Sequence, residues 1–188
     1  MWCSGRPADL PFGVTGRPVQ RGRNVIYIAV VGPGDGASAR DIAHARSVGA
    51  LCATRGWITL TGGRNAGVMA AAAEGASSGG GVSIGVLPGP DRSEAAPSLT
   101  ASLPTGLGEA RNAVLVTAAD GVIACGMSPG TLSEIALALK ARRPVALVRA
   151  DVEAAALVAG LGSETVFAAD SAETAVEWME SEIGNGRA

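Results

Sequence analysis

The stretch GVIACGMSPGTLSEIALALK, residues 121–140, runs from five apolar residues through a Gly/Ser/Pro turn into a helical pattern. The run Gly121–Cys125 is short and continuous, as expected of a strand buried on both faces. Leu132, Ile135, Ala136 and Leu139 recur at helical spacing and read as the buried stripe of the helix that follows. The same pattern recurs upstream, where Val25–Val31, Ala37–Arg55, Trp57–Leu60, Ala66–Ser77 and Val82–Leu87 read β-α-β-α-β. After a Pro/Ser-rich segment, Pro88–Pro97, the chain reads as a short strand near Leu99–Leu103, a helix over Gly108–Ala118 and the strand Gly121–Cys125. Helix Gly130–Ala141, strand Val145–Val148, a short helix near Val152–Ala159, strand Thr165–Ala168 and a closing helix Ala172–Ile183 follow. Strands alternating with helices demand a parallel sheet covered on both faces, so the expected class is α/β.

The 188 residues suit one domain with a core of its own. Apolar residues make up 47% but aromatic ones only 3%, and the 27 glycines favour close helix-on-sheet packing. We see no internal repeat, and expect a single domain over residues 24–188. Residues 1–23 carry Arg6, Arg17, Arg21 and Arg23 against Asp9 alone, lack an apolar core segment, and read as a disordered arm. No apolar run reaches the length of a membrane span. A net charge of −2 gives no footprint for nucleic acid, so any anion site must be local. Cys3, Cys52 and Cys125 form no C-x-x-C pair, which fits a reducing, cytoplasmic setting, and Cys125 reads as a small apolar filler. His44 is the single imidazole, so no protein-ligated metal is expected.

Ligands of an open parallel sheet bind outside the carboxyl ends of its strands. Three glycine-rich turns fall there: Gly32-Pro33-Gly34-Asp35-Gly36, Thr61-Gly62-Gly63-Arg64-Asn65-Ala66-Gly67, and Gly126-Met127-Ser128-Pro129-Gly130. None has the P-loop spacing, and Lys140 is the only lysine in the chain. Together they mark an anion-binding edge, to which Arg64 adds a planar donor fork. The expected binding residues are Gly32, Gly34, Gly62, Gly63, Arg64, Asn65, Gly67, Gly126, Ser128, Gly130 and Thr131.

Glu134 has two readings. Thr131-Leu132-Ser133-Glu134 has the S/T-x-x-E form of a capping box, which would make the acid structural. Alternatively, Glu134 stands with Thr131 and Ala138 on the other side of the helix, free to position or deprotonate a ligand hydroxyl.

These residues carry a resemblance. Thr61-Gly62-Gly63 followed by Gly67-Val68-Met69 and Gly75-Ala76 resembles the GG-x-x-x-G-[LV]-M element of the "lysine decarboxylase-like" Rossmann superfamily. Gly130-Thr131-x-x-Glu134 resembles the end of its P-G-G-x-G-T-x-x-E signature, and Arg111-Asn112 stands at the upstream basic position. The resemblance spans residues 24–150. It implies a Rossmann-like fold and a phosphorylated small-molecule ligand, and implies no lysine decarboxylase activity.

Two branches of that superfamily bear on function. Its cytokinin-activating phosphoribohydrolases cleave the N-glycosidic bond of nucleoside 5′-monophosphates, and by position Arg111 and Glu134 would be the catalytic pair. Its molybdenum cofactor carrier proteins hold a phosphorylated pterin without turning it over, the metal being held by the pterin dithiolene. The chain has Gly126-Met127-Ser128-Pro129 where the hydrolases have Pro-Gly-Gly, and Asn112 where they carry a basic residue. The first departure puts side chains and a proline where backbone N–H groups would approach a hydrolase's phosphate, and the Arg111-Asn112 pair with Gly130-Thr131-Leu132-Ser133-Glu134 resembles the carrier branch, which adds Arg111, Asn112 and Glu134 to the cofactor-binding set. The resemblance further implies a homo-oligomer, dimer or tetramer, and molybdoenzymes as recipients; a nucleotide-sensing or DNA-handling role has only the basic arm in its favour.

Overall fold

The computed structural model describes residues 25–161 and 165–185. The arm expected over residues 1–23, with Cys3 and its arginines, lies outside them. Among the described residues seven strands and six α-helices follow one another, alternating except between β3 and β4: β1 (Tyr27–Val31), α1 (Ala39–Thr54), β2 (Ile58–Thr61), α2 (Gly67–Ser78), β3 (Val82–Leu87), β4 (Ala101–Pro104), α3 (Arg111–Ala118), β5 (Gly121–Cys125), α4 (Pro129–Lys140), β6 (Val145–Val148), α5 (Val152–Leu161), β7 (Val166–Ala169) and α6 (Ala172–Asn185). The strands form one sheet in the order β4-β3-β2-β1-β5-β6-β7, and every pairing is parallel. The domain is therefore α/β and Rossmann-like.

Side-chain alternation along the central strands explains why both faces are covered. Ile28 and Val30 of β1, Ile123 and Cys125 of β5, and Ala146 and Val148 of β6 face the core shared with α1, α2 and α6. Ala29 and Val31, Val122 and Ala124, and Val145 and Leu147 face the opposite core, which includes Leu115 and Val116 of α3, Ile135 and Ala138 of α4, and Val158 of α5. Trp57 belongs to the first core. Cys52 and Cys125 are buried free thiols, and loss of solvation pushes both well above the ordinary cysteine range, as an apolar filler requires.

The order of the strands sets the site. From β1 the chain steps through β2, β3 and β4 to one edge, then returns beside β1 with β5 and proceeds to the other edge. At that reversal the loops leaving β1 and β5 diverge to opposite faces and open a crevice. The stretch Gly108–Ala118 is not one α-helix: a single 3₁₀ turn, Gly108–Ala110, precedes α3 and delivers Arg111 to that crevice.

Candidate functional site

A cavity of about 320 Å³ opens at the carboxyl edge beside β1 and β5. It gathers Gly32 and Gly34 from the first glycine loop, Gly62 and Arg64 from the second, Ser128, Gly130, Thr131 and Glu134 from the third, and Arg111 and Asn112 from α3. The remaining expected residues lie elsewhere. Gly63 and Gly67 shape the second loop without lining the cavity. Asn65 is exposed and lines a smaller neighbouring recess with Arg64 and Glu94, and Gly126 lines a separate recess with Arg40 and Asp41.

The start of α4 corrects two expectations. Its N-cap is Ser128, whose Oγ accepts the Thr131 N–H at 3.2 Å, with Pro129 at the first helical position. Glu134 therefore sits in the second turn and takes no part in a capping box. The buried face is Thr131, Glu134, Ile135 and Ala138, whereas Ala136 is exposed. Thr131 and Glu134 on that face line the cavity, while Ile135 and Ala138 beside them pack in the apolar core. Proline lacks an N–H and Ser128 takes the Thr131 donor, which leaves the Gly130 N–H as the free first-turn donor at this helix end.

Arg111 is not an exposed helix arginine. It is 7% exposed, and its Nη1 lies 3.4 Å from Glu134 Oε1, itself 6% exposed. Burial lifts the Glu134 carboxyl from its ordinary 4.5 to about 7; Arg111 opposes the shift and Glu109 adds to it. Desolvation thus outweighs the partner cation. The pair is incompletely satisfied: Arg111 Nε and, one residue on, Asn112 Oδ1 are buried without hydrogen-bond partners in the structure. Buried polar atoms are normally bonded, and these two orphans belong to adjacent residues that line the cavity.

Arg64, expected as a free phosphate fork, is already engaged. Its Nη2 lies 3.7 Å from Asp35 Oδ2 and its Nε 3.5 Å from Glu94 Oε2. The segment Pro88–Pro97 is fastened beside it by backbone bonds, Asn65 N–H to Glu94 O and Ala96 N–H to Gly63 O, both 2.9 Å. Pro88 and Glu94 of that segment line the cavity. Asp91 and Arg92 of the same segment do not: Asp91 accepts from Ser93, and Arg92 Nε donates to Ser102 O. Sequence reasoning also passed over Met69 and Glu109 as wall residues. Glu109 had a readable signal, an acid three residues before Asn112 and two before Arg111.

Among the described residues no group of three or more His, Cys, Asp or Glu side chains is placed to hold a metal ion. No helix among them is long and apolar enough to cross a membrane.

The chain is similar to a molybdenum cofactor binding protein of the phototrophic bacterium Rippkaea orientalis, 43% identical with a TM-score of 0.83 over 85% of this chain and 98% of that one. It is also similar to the molybdenum cofactor carrier protein of Chlamydomonas reinhardtii, 38% identical with a TM-score of 0.81 over 85% and 99% of the two chains. An uncharacterized protein of Archaeoglobus fulgidus is 35% identical over 128 residues, 68% of this chain and 83% of that protein. The family model described as the SLOG cluster4 family matches residues 25–176, and the chain belongs to that family.

Proposed function

We propose that this protein binds and carries the molybdenum cofactor, a phosphorylated pterin, in the cavity beside β1 and β5. The observation that carries the reading is 43% identity to a molybdenum cofactor binding protein over nearly that protein's whole length, with buried Arg111 and Asn112 on the cavity wall here each leaving one side-chain polar atom unpartnered. The residues present suit such a ligand. Arg111 and the Gly130 N–H supply donors for a phosphate, and the orphaned Asn112 amide supplies a partner for a ring. The dithiolene of the pterin holds the metal, so the chain's part is to bind, orient and shield. Delivery to molybdoenzymes, assembly into a dimer or tetramer, and residence in the cytoplasm belong to the same reading. Exposed Val152, Leu157 and Leu161 on α5 and Val114 on α3 offer apolar surface for assembly. Light scattering that returns a single chain mass would remove the oligomer from it.

One observation favours a second reading, an N-glycosidic phosphoribohydrolase acting on nucleoside 5′-monophosphates. Glu134, poised near neutrality beside Arg111, could activate water or hold ribose hydroxyls. The test is an anaerobic titration with molybdenum cofactor, run beside adenosine monophosphate with free base followed in the same samples. Cofactor retained through gel filtration without base release supports the carrier. Base release that disappears in Glu134→Gln makes the protein a hydrolase.

A further inference from the structure

The cavity wall holds four carboxylates, Asp35, Glu94, Glu109 and Glu134, against two guanidiniums, Arg64 and Arg111. A site built only to hold phosphate would not be acid-rich. Three of the acids are accounted for, because Asp35 and Glu94 pair with Arg64 and Glu134 pairs with Arg111. Glu109 has no cation within ion-pair distance among the described residues, and it stands exposed in the 3₁₀ turn ahead of α3. Three residues on, Asn112 is 3% exposed, lines the same cavity, and has an Oδ1 without a partner. Neither end of its carboxamide is held by a neighbour in the described structure, so a ligand can set its orientation.

We propose that Glu109 and Asn112 read the ring of the bound ligand, selecting a heterocycle with a 2-amino-lactam edge over one without it. This rests on the cavity being the ligand site proposed above. An ionised carboxylate only accepts, so it is satisfied by two parallel donors and repelled by a lone pair. A 2-amino-lactam, as in guanine and the pterins, presents a ring N–H beside an exocyclic amine, and its carbonyl completes a face that a free carboxamide can meet. Hypoxanthine keeps the ring N–H and loses the amine. Adenine presents a ring nitrogen lone pair where the carboxylate needs a donor.

The matched series guanosine, inosine and adenosine monophosphate changes that edge while holding the ribose phosphate constant. With the full chain in isothermal titration, guanosine monophosphate is expected to bind about tenfold tighter than inosine monophosphate, with the adenine nucleotide weakest, since a charged acceptor loses one bond at each step. Glu109 is exposed, so Glu109→Gln should fold normally. It should erase the guanine-over-hypoxanthine preference and leave adenosine monophosphate binding unchanged or improved. Asn112→Ala should weaken the two lactam nucleotides more than the adenine one. Equal affinities for the three nucleotides, no binding of any of them, or a uniform shift in Glu109→Gln would overturn the proposal. Retention of molybdenum cofactor, measured in parallel, separates the failures: retained cofactor without ring preference overturns only the ring reading, and loss of both overturns the carrier as well.

Discussion

Gly62 lies directly beneath the Arg111 guanidinium: a Cβ on residue 62 would stand 2.6 Å from Nη1 and 2.8 Å from Nη2, and 2.7 Å from Met69 Sδ. The first glycine of the Thr61-Gly62-Gly63 element is thus required by the arginine that β-sheet topology brings from 49 residues away in sequence. Gly62→Ala should displace Arg111 from Glu134 while leaving the apolar cores alone. Ligand affinity is expected to fall about tenfold or more, the scale of one charged hydrogen bond, with an unchanged circular dichroism spectrum. An unaltered affinity would mean that Arg111 does not touch the ligand.

Glu134 makes stability depend on pH in a direction opposite to that of most carboxylates. Its carboxyl holds the proton more tightly folded than unfolded, with a folded value of about 7 against an ordinary 4.5. Its contribution is therefore fully favourable below about 4.5 and is lost as pH rises to about 7, on the order of 3 kcal/mol across that window. Urea unfolding of the wild type and of Glu134→Gln between these pH values should differ in slope, and parallel curves would assign the pH dependence to another group. The affinity for a phosphorylated ligand should weaken over the same range, because an ionised Glu134 repels it.

The Arg64 clasp should matter more to binding than to folding. Its three side chains are a third or more exposed, and exposed ion pairs contribute about 0–1 kcal/mol. The backbone bonds between Gly63-Asn65 and Glu94-Ala96 remain in Arg64→Ala. Unfolding free energy should change by less than about 1 kcal/mol. Affinity for an anionic ligand should fall at low salt, since Asp35 and Glu94 lose their counter-charge, and the difference should shrink at high salt. A salt-independent loss would instead point to a shape role for the arginine.

The pairing of α1 with α2 depends on Gly75. A Cβ there would fall on the Arg46 carbonyl oxygen across the helix interface, and one on Gly49 would fall on the Ala72 carbonyl. Alanine gains about 1 kcal/mol of intrinsic helix propensity, but overpacking against backbone costs about 1–3 kcal/mol and cannot be relieved by a rotamer change. Gly75→Ala is expected to destabilise, read as a lower urea midpoint at an unchanged m-value.

Much of the fold was legible because its signals are local. The runs at Val25–Val31, Gly121–Cys125 and Val145–Val148 are continuous and β-branched, as strands covered on two faces must be, and the structure moves their limits by at most two residues. The short strand expected at Leu99–Leu103 lies at Ala101–Pro104, an edge position where burial gives little pattern to read. The helix over Gly108–Ala118 was legible as a helix, but its break at Ala110 was not, because a 3₁₀ turn differs from an α-turn in which carbonyl each N–H reaches.

The candidate site was legible by residue type and illegible by arrangement. Ser128-Pro129 carries the N-cap and first-turn preferences as plainly as Thr131-x-x-Glu134 carries those of a capping box, and only the helix start chooses between them. Arg64 had the chemistry of a free donor fork, and its two acids come from Asp35 and Glu94 on other loops. The sequence by itself determined the alternation of elements, the parallel sheet and the three glycine turns, since periodicity and turn chemistry act over a few residues. The tertiary structure alone decided that Arg111 is buried against Glu134, that Gly63, Gly67, Asn65 and Gly126 stand outside the cavity, and that Glu109 and Asn112 face it. Those are consequences of strand order and of desolvation, which depend on what surrounds a side chain and so have no expression in any short stretch of residues.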